Sequence, residues 1–160
     1  MVRGSESMKK FLLIFIFMLL SSCAYSLELP EKINDWHSVN EFITPLIASA
    51  NSQDLGRVIY KDYERENPKK NLQIILTEGK GTGNLYVPEK VKTSKGLMPS
   101  EAGYKILNVA GKRAILETQS YLPLVLAVKV DNNIVLTIES KSLNENEIVK
   151  FAEKLIYYIM

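Results

Sequence analysis

Cysteine and histidine are nearly missing from this 160-residue chain, with one of each, Cys23 and His37. A single cysteine allows neither an internal disulfide nor a thiolate zinc site. A single histidine leaves no partner for an H-E-x-x-H metal motif, and no G-x-S-x-G nucleophile motif occurs. No metal or cofactor is therefore expected. The chain also lacks a long apolar run. Phe11 to Leu20 is its longest, ten residues, and as a helix it would cover about 15 Å, half a hydrocarbon core. Charge of one sign is lacking too. The formal charge is +2. Removing Met1 to Ser22 takes away Arg3, Lys9, Lys10 and Glu6, which leaves 17 residues of each sign. A balanced domain carries no electrostatic argument for nucleic acid as a partner.

What the chain does have begins at Met8. Met8-Lys9-Lys10 is basic, Phe11–Leu20 is apolar, and Ser21, Ser22, Cys23 and Ala24 are small. This is the order of an export signal. Residues 1–7 fit neither region and read as an expression remnant or an upstream start-codon choice. Two cleavage readings compete. Leu20-Ser21-Ser22-Cys23 resembles the lipobox of bacterial lipoproteins, which implies lipid on Cys23 and a membrane anchor. Ala24-Tyr25-Ser26 offers an ordinary signal-peptidase site. Residues 1–26 are thus expected to be signal and 27–160 a single α+β domain, periplasmic or on the outer cell surface. At this size a core forms without disulfides.

The domain is organised around Tyr104–Ser140. Four runs rich in Val, Ile and Leu are separated there by short breakers, Ala110-Gly111-Lys112, Tyr121-Leu122-Pro123 and Asp131-Asn132-Asn133. That spacing predicts an antiparallel meander. In the third run both alternating sets are apolar, Leu124, Leu126, Val128 and Val130 against Val125 and Ala127, so the strand is expected to be covered on both faces. Upstream, Gly56–Arg65 and Asn71–Glu78 predict a hairpin across Asn67-Pro68. Downstream, Ser142–Met160 predicts a helix. Asn144 and Glu147 have capping-box spacing, and Ile148, Phe151, Ala152, Leu155 and Ile159 form one stripe. Between residues 31 and 51 apolar side chains recur every three or four positions and Pro45 follows Thr44. The reading there is one broken helix or two short helices. The expectation is α+β: a mainly antiparallel six-stranded sheet with N-terminal and C-terminal helices packed on it.

Candidate chemistry is sparse. Gly79-Lys80-Gly81-Thr82-Gly83 resembles a phosphate loop in composition but lacks the Walker spacing and a following amphipathic helix. Asp62, Glu64 and Glu66 alternate on a strand beside Lys61 and Arg65, which reads as a solvated face with weak ion pairs. The connection 79–103 holds five of the eight glycines and the lysines Lys80, Lys90, Lys92 and Lys95. Those lysines are the candidates for contact with a ligand, an acidic partner or anionic headgroups, where each basic side chain adds about 1 kcal/mol. A connection of that length is functional or hides an element, and its composition predicts exposure.

The meander and last helix, from Gly103-Tyr104-Lys105-Ile106-Leu107-Asn108-Val109 through Val128-Lys129-Val130-Asp131 to Leu143–Leu155, resemble small exported bacterial domains of unknown function. They are also similar in layout to PsbP-like domains. The resemblance implies a fold and no activity. The leading expectation is an exported, lipid-anchored envelope accessory or binding protein with an envelope protein as partner. The alternative is a small hydrolase or transferase with a site near the 79–103 connection, built from Glu101 and His37.

Overall fold

The computed structural model describes residues 27–48, 53–85, 103–118 and 123–160. Eight strands form one sheet: β1 Lys32–Ile33, β2 Trp36–Ala48, β3 Gln53–Arg65, β4 Lys70–Glu78, β5 Gly103–Val109, β6 Lys112–Thr118, β7 Leu124–Lys129 and β8 Ile134–Ser140. Among the described residues one α-helix follows, α1, Glu145–Ile159. The spatial order is β1-β2-β3-β4-β8-β7-β6-β5 and every neighbouring pair is antiparallel. The antiparallel sheet with a C-terminal helix is as expected. The strand count is eight instead of six, and no helix occupies the described part of residues 31–51.

The register explains the core. Lys61, Ile74, Ile138, Leu126 and Leu116 lie opposite one another across five strands, and Ile59, Leu76, Leu136, Val128 and Ala114 form the next row. All ten are buried. This is the face on which α1 packs, and Ile148, Phe151, Ala152, Leu155, Ile156 and Ile159 supply its stripe. The capping box forms as the spacing predicts: Asn144 Oδ1 accepts from the Glu147 N–H at 3.0 Å, and Glu147 Oε2 accepts from the Asn144 N–H at 3.0 Å. At the β3 end of the core, Phe151 meets Trp36 and Tyr63 edge-on, at 5.4 and 6.0 Å between centroids.

The opposite face follows a different rule. One row across it runs Phe42, Tyr60, Ile75, Thr137, Ala127, Ile115 and Ile106. Ile115 is buried, the next four inward are half-buried, and the two ends are exposed. The double burial expected of β7 is therefore met on one face only: Leu126 and Val128 are sealed, Val125 and Ala127 half-buried.

The missing N-terminal helix has a physical reason. Beyond the short β1, residues 39–48 act as an edge strand, where one flank of the backbone and much of both side-chain faces meet water. Apolar residues there need not alternate, so a spacing of three or four arises without helix. Pro45 suits such an edge, where no ladder hydrogen bond is lost. Ser38 donates its N–H to Glu31 O at 2.9 Å, a strand contact.

β4 and β5 run in the same direction, since three antiparallel steps through β8, β7 and β6 end in a fourth at β5. The chain leaves the sheet after Glu78 at one end and re-enters at Gly103 at the other. The length of that connection has a topological cause.

Candidate functional site

The densest group of polar side chains lies where the N-terminal segment crosses β3. The sequence places Ile59, Lys61 and Tyr63 on one strand face, and that face is the core. Lys61 is 1% exposed. Its amine donates to Leu29 O at 3.0 Å, to Glu31 Oε1, and contacts Glu41 Oε2 at 2.7 Å. Three donors meet three acceptors, which is the condition for burying an ammonium. Burial works against the charge on Lys61, but the hydrogen bonds and charges of Glu31 and Glu41 outweigh it and hold the pKa above the ordinary lysine value. In return, the hydrogen bond and charge of Lys61 hold the Glu31 carboxyl below its usual range. Tyr63 donates its hydroxyl to Pro30 O. Burial, then the charges of Glu31 and Glu41, push its pKa up, so the phenol stays a neutral donor.

Arg57 completes the arrangement, with Nη2 on Leu27 O at 2.7 Å and on Glu78 Oε2 at 2.8 Å. Three β3 side chains, Arg57, Lys61 and Tyr63, thus tie down the carbonyls of Leu27, Leu29 and Pro30. The clasp spends its polar atoms on its own chain and ties the segment 27–30 to β3. Sequence reasoning took Lys61 for a surface charge. The available signal was its alternation with Ile59 and Tyr63, a lysine on an otherwise apolar face.

A second ionic group joins helix to hairpin. Glu147 binds Lys70 at 2.6 Å through Oε2 and Arg65 at 3.6 Å, while Arg65 lies over the Trp36 ring at 5.1 Å. The Lys70 hydrogen bond and the Asn144 N–H lower the Glu147 pKa.

Asp62 and Glu64 share the open face, as their alternation predicts. With Asn40, Gln73 and Glu139 they line a shallow cleft of about 380 Å³. Gln73 donates to Asp62 at 2.9 Å. Among the described residues, no group of three His, Cys, Asp or Glu side chains is placed to hold a metal.

The glycine-rich stretch is a structural turn. Gly79 N–H donates to Asn133 O at 2.9 Å, Gly81 N–H to Asn133 Oδ1 at 3.0 Å and Gly83 N–H to Asn132 O at 2.9 Å. Thr82 is buried, with its hydroxyl on Asn133 O. These amides are committed to the β7–β8 turn and are not offered to a phosphate. The exposure expected from Gly79 onward fails at Thr82 and Gly83 for the same reason. A Cβ on Gly83 would stand 2.4 Å from Asp131 O, so only glycine allows this approach.

Of the residues singled out in the sequence, Lys80 is exposed in this turn. His37 is exposed on β2, opposite Glu64. Lys80 and His37 lie at opposite ends of the sheet, since β3 runs from Arg57 beside Glu78 to Glu64 beside Asn71, about 23 Å at the rise of a strand. They do not form one site. Cys23, Lys90, Lys92, Lys95 and Glu101 lie outside the described residues.

The outer flank of β2 is the remaining feature. β1 covers it only at Trp36 and His37. Beyond, Val39, Phe42, Ile43 and Ile47 are 48–64% exposed, and among the described residues no strand lies beside them. No helix among those residues is long and apolar enough to cross a membrane. Comparison with protein-family models, curated proteins and solved structures finds no match for this chain.

Proposed function

We propose that this chain is an exported, lipid-anchored accessory protein that presents a binding surface close to a membrane. The observation that carries the reading is the clasp. Arg57, Lys61 and Tyr63 fix the chain from Leu27 onward, and only Ala24, Tyr25 and Ser26 separate Leu27 from Cys23. Four residue steps span at most about 14 Å. A lipid on Cys23 would hold the domain against the headgroups. Lys80 supports this reading, since it follows Glu78, the ion-pair partner of the Arg57 that holds Leu27. Lys90, Lys92 and Lys95 would then add to the attraction for anionic lipid.

The binding part of the proposal rests on the half-buried apolar row of the open face and the uncovered β2 edge. Contiguous exposed apolar surface marks interaction sites in folded proteins. Mass spectrometry of protein from its native host tests the anchor. Diacylglycerol on a mature N-terminal Cys23 is the expected result, and an unmodified N-terminus at Leu27 removes the anchor while leaving export.

A further inference from the structure

Arg65 is held in place without having its donors met. Its side chain is 17% exposed, and its guanidinium lies over the Trp36 ring at 5.1 Å. Stacking therefore fixes where the N–H fork points. Nε reaches Pro68 O at 3.4 Å, Nη1 reaches Asp35 Oδ2 at 3.5 Å and Nη2 reaches Glu147 Oε1 at 3.6 Å. All three exceed the roughly 2.7–3.2 Å of an ordinary N–H···O bond. Arg57, on the same strand, meets Leu27 O and Glu78 at 2.7 and 2.9 Å. Glu147 cannot close on Arg65, because Lys70 holds both of its oxygens and the Asn144 N–H holds Oε2 at 3.0 Å.

The guanidinium borders a notch of about 150 Å³ between the β1–β2 turn and α1. Trp36 and Phe151 give it an apolar lining, and Lys150 and Lys154 line it from the helix. The two lysines are one turn apart on one helix face. Both are exposed, and neither has an ion pair among the described residues. Like charges at that spacing weaken a helix, so α1 does not gain from them. Solvated lysines are ordinary; what distinguishes this pair is the notch it shares with Arg65.

Charge and size say what the notch takes. Lys70 neutralises Glu147, which leaves Arg65, Lys150 and Lys154 against Asp35, an excess of two positive charges. A phosphate monoester carries about −2 at pH 7 and offers three acceptor oxygens. A guanidinium meets such a group through two parallel N–H bonds. The volume is well below the roughly 300–1,000 Å³ of pockets that enclose a whole small molecule, so only the acidic group enters. We propose that this notch binds a phosphate monoester, with Arg65 as the fork and Lys150 and Lys154 as the charges that close over it. The ligand replaces Asp35 as the partner of Arg65. The rest of the molecule stays outside, so free phosphate, a soluble ester and the headgroup of phosphatidic acid present the same chemistry. The site is separate from the open-face row and the β2 edge, and it needs no lipid on Cys23.

The test uses the intact exported protein at constant ionic strength. Equilibrium dialysis against labelled inorganic phosphate should show saturable binding of one ion per chain, displaced by glycerol 3-phosphate. The fluorescence of Trp36, the single tryptophan, should change over the same range. Lys150→Gln combined with Lys154→Gln should weaken binding about tenfold or more. Both side chains are exposed, so this variant should keep the wild-type urea midpoint and decides the matter even if Arg65→Gln fails to fold. Asp35→Asn should tighten binding severalfold, because it removes the carboxylate that the ligand displaces; a merely structural role predicts no such gain. Lys69→Gln, exposed and outside the notch, should change nothing. Vesicles of phosphatidic acid and of phosphatidylglycerol, matched for surface charge, identify the source. Tighter binding to phosphatidic acid that is lost in the double lysine variant points to the headgroup. Equal binding to both, with phosphate bound in dialysis, points to a soluble ligand. No saturable phosphate binding up to about 50 mM, together with no preference for phosphatidic acid, overturns the proposal. So does binding that neither the double lysine variant nor Asp35→Asn changes.

Discussion

The Lys61 amine and the Glu41 carboxylate meet at 2.7 Å across the β2–β3 ladder, with the lysine sealed in the core and the glutamate reaching the open edge. The pair joins the interior of the sheet to its least protected strand. With Glu31 and Leu29 O it also ties residues 29–31 to β3. Its worth is not the sum of its contacts, because a buried charge is stabilising only when every donor is met.

This cluster sets a window of pH stability. Glu31 and Glu147 have folded pKa values lowered by Lys61 and Lys70. Their contribution is complete above the unfolded carboxylate value, about 4.3, and is lost as pH falls through the lower folded values. Lys61 is shifted the other way. Its contribution is complete below about pH 10.4 and is lost as pH rises through the higher folded value. Urea midpoints should form a plateau between about pH 5 and 10. Lys61→Met should flatten the alkaline limb relative to wild type. An alkaline limb of equal depth in both proteins would show that the lysine contributes nothing to it.

Tyr63→Phe tests the clasp without disturbing the ring contact with Phe151. It removes the hydrogen bond that the Tyr63 hydroxyl gives to Pro30 O and should cost about 1–3 kcal/mol, as for an acceptor shielded from water and left unmet. Amide exchange at Leu29 and Glu31 should quicken more than exchange in β7 or β8. Uniform quickening would mean that the hydroxyl supports the whole fold and not this segment.

The meander and α1 were legible because their burial is one-sided and regular. β4, β7 and β8 alternate, and Asn144 with Glu147 marks the helix start by chemistry alone. β2 was not legible. Val39, Phe42, Ile43 and Ile47 are exposed, so no core imposed a period on them, and Pro45 reads as a helix start unless the strand is known to be an edge. The clasp was half legible: the alternation of Ile59, Lys61 and Tyr63 can be read from the sequence, but the Leu29 carbonyl and Glu31 carboxylate that meet the lysine lie 32 and 30 residues upstream. The long connection after Gly79 was visible as length. Its cause, two strands running the same way at separate places in the sheet, is a tertiary fact.

Leu126→Ala should cost about 2–5 kcal/mol, the range for a buried leucine truncation. Leu126 is fully buried, between Leu116 on β6 and Ile138 on β8, so neighbours on both sides are held in the ladder and cannot collapse into the gap. Chemical denaturation gives the value. A midpoint equal to that of wild type would show that β7 is not part of the cooperative core.

Two glycines allow a paired test of what the turns require. Gly111 has φ +79 and open space around a would-be Cβ. Gly111→Ala should therefore cost only the conformational penalty, about 1–2 kcal/mol. At Gly83 the obstacle is backbone: an added Cβ would lie 2.4 Å from Asp131 O and 2.9 Å from two atoms of Asn132. Neither chain can yield without breaking the hydrogen bonds from Gly79, Gly81 and Gly83 to the β7–β8 turn. Gly83→Ala should cost at least as much as Gly111→Ala, about 1–3 kcal/mol for a forced backbone shift. It should also carry a local signature that Gly111→Ala lacks, loss of exchange protection at the amides of Gly79 and Gly83. If both variants lose stability equally and those amides stay protected, the turn is not held by this close approach, and the glycine-rich stretch is again without a structural assignment.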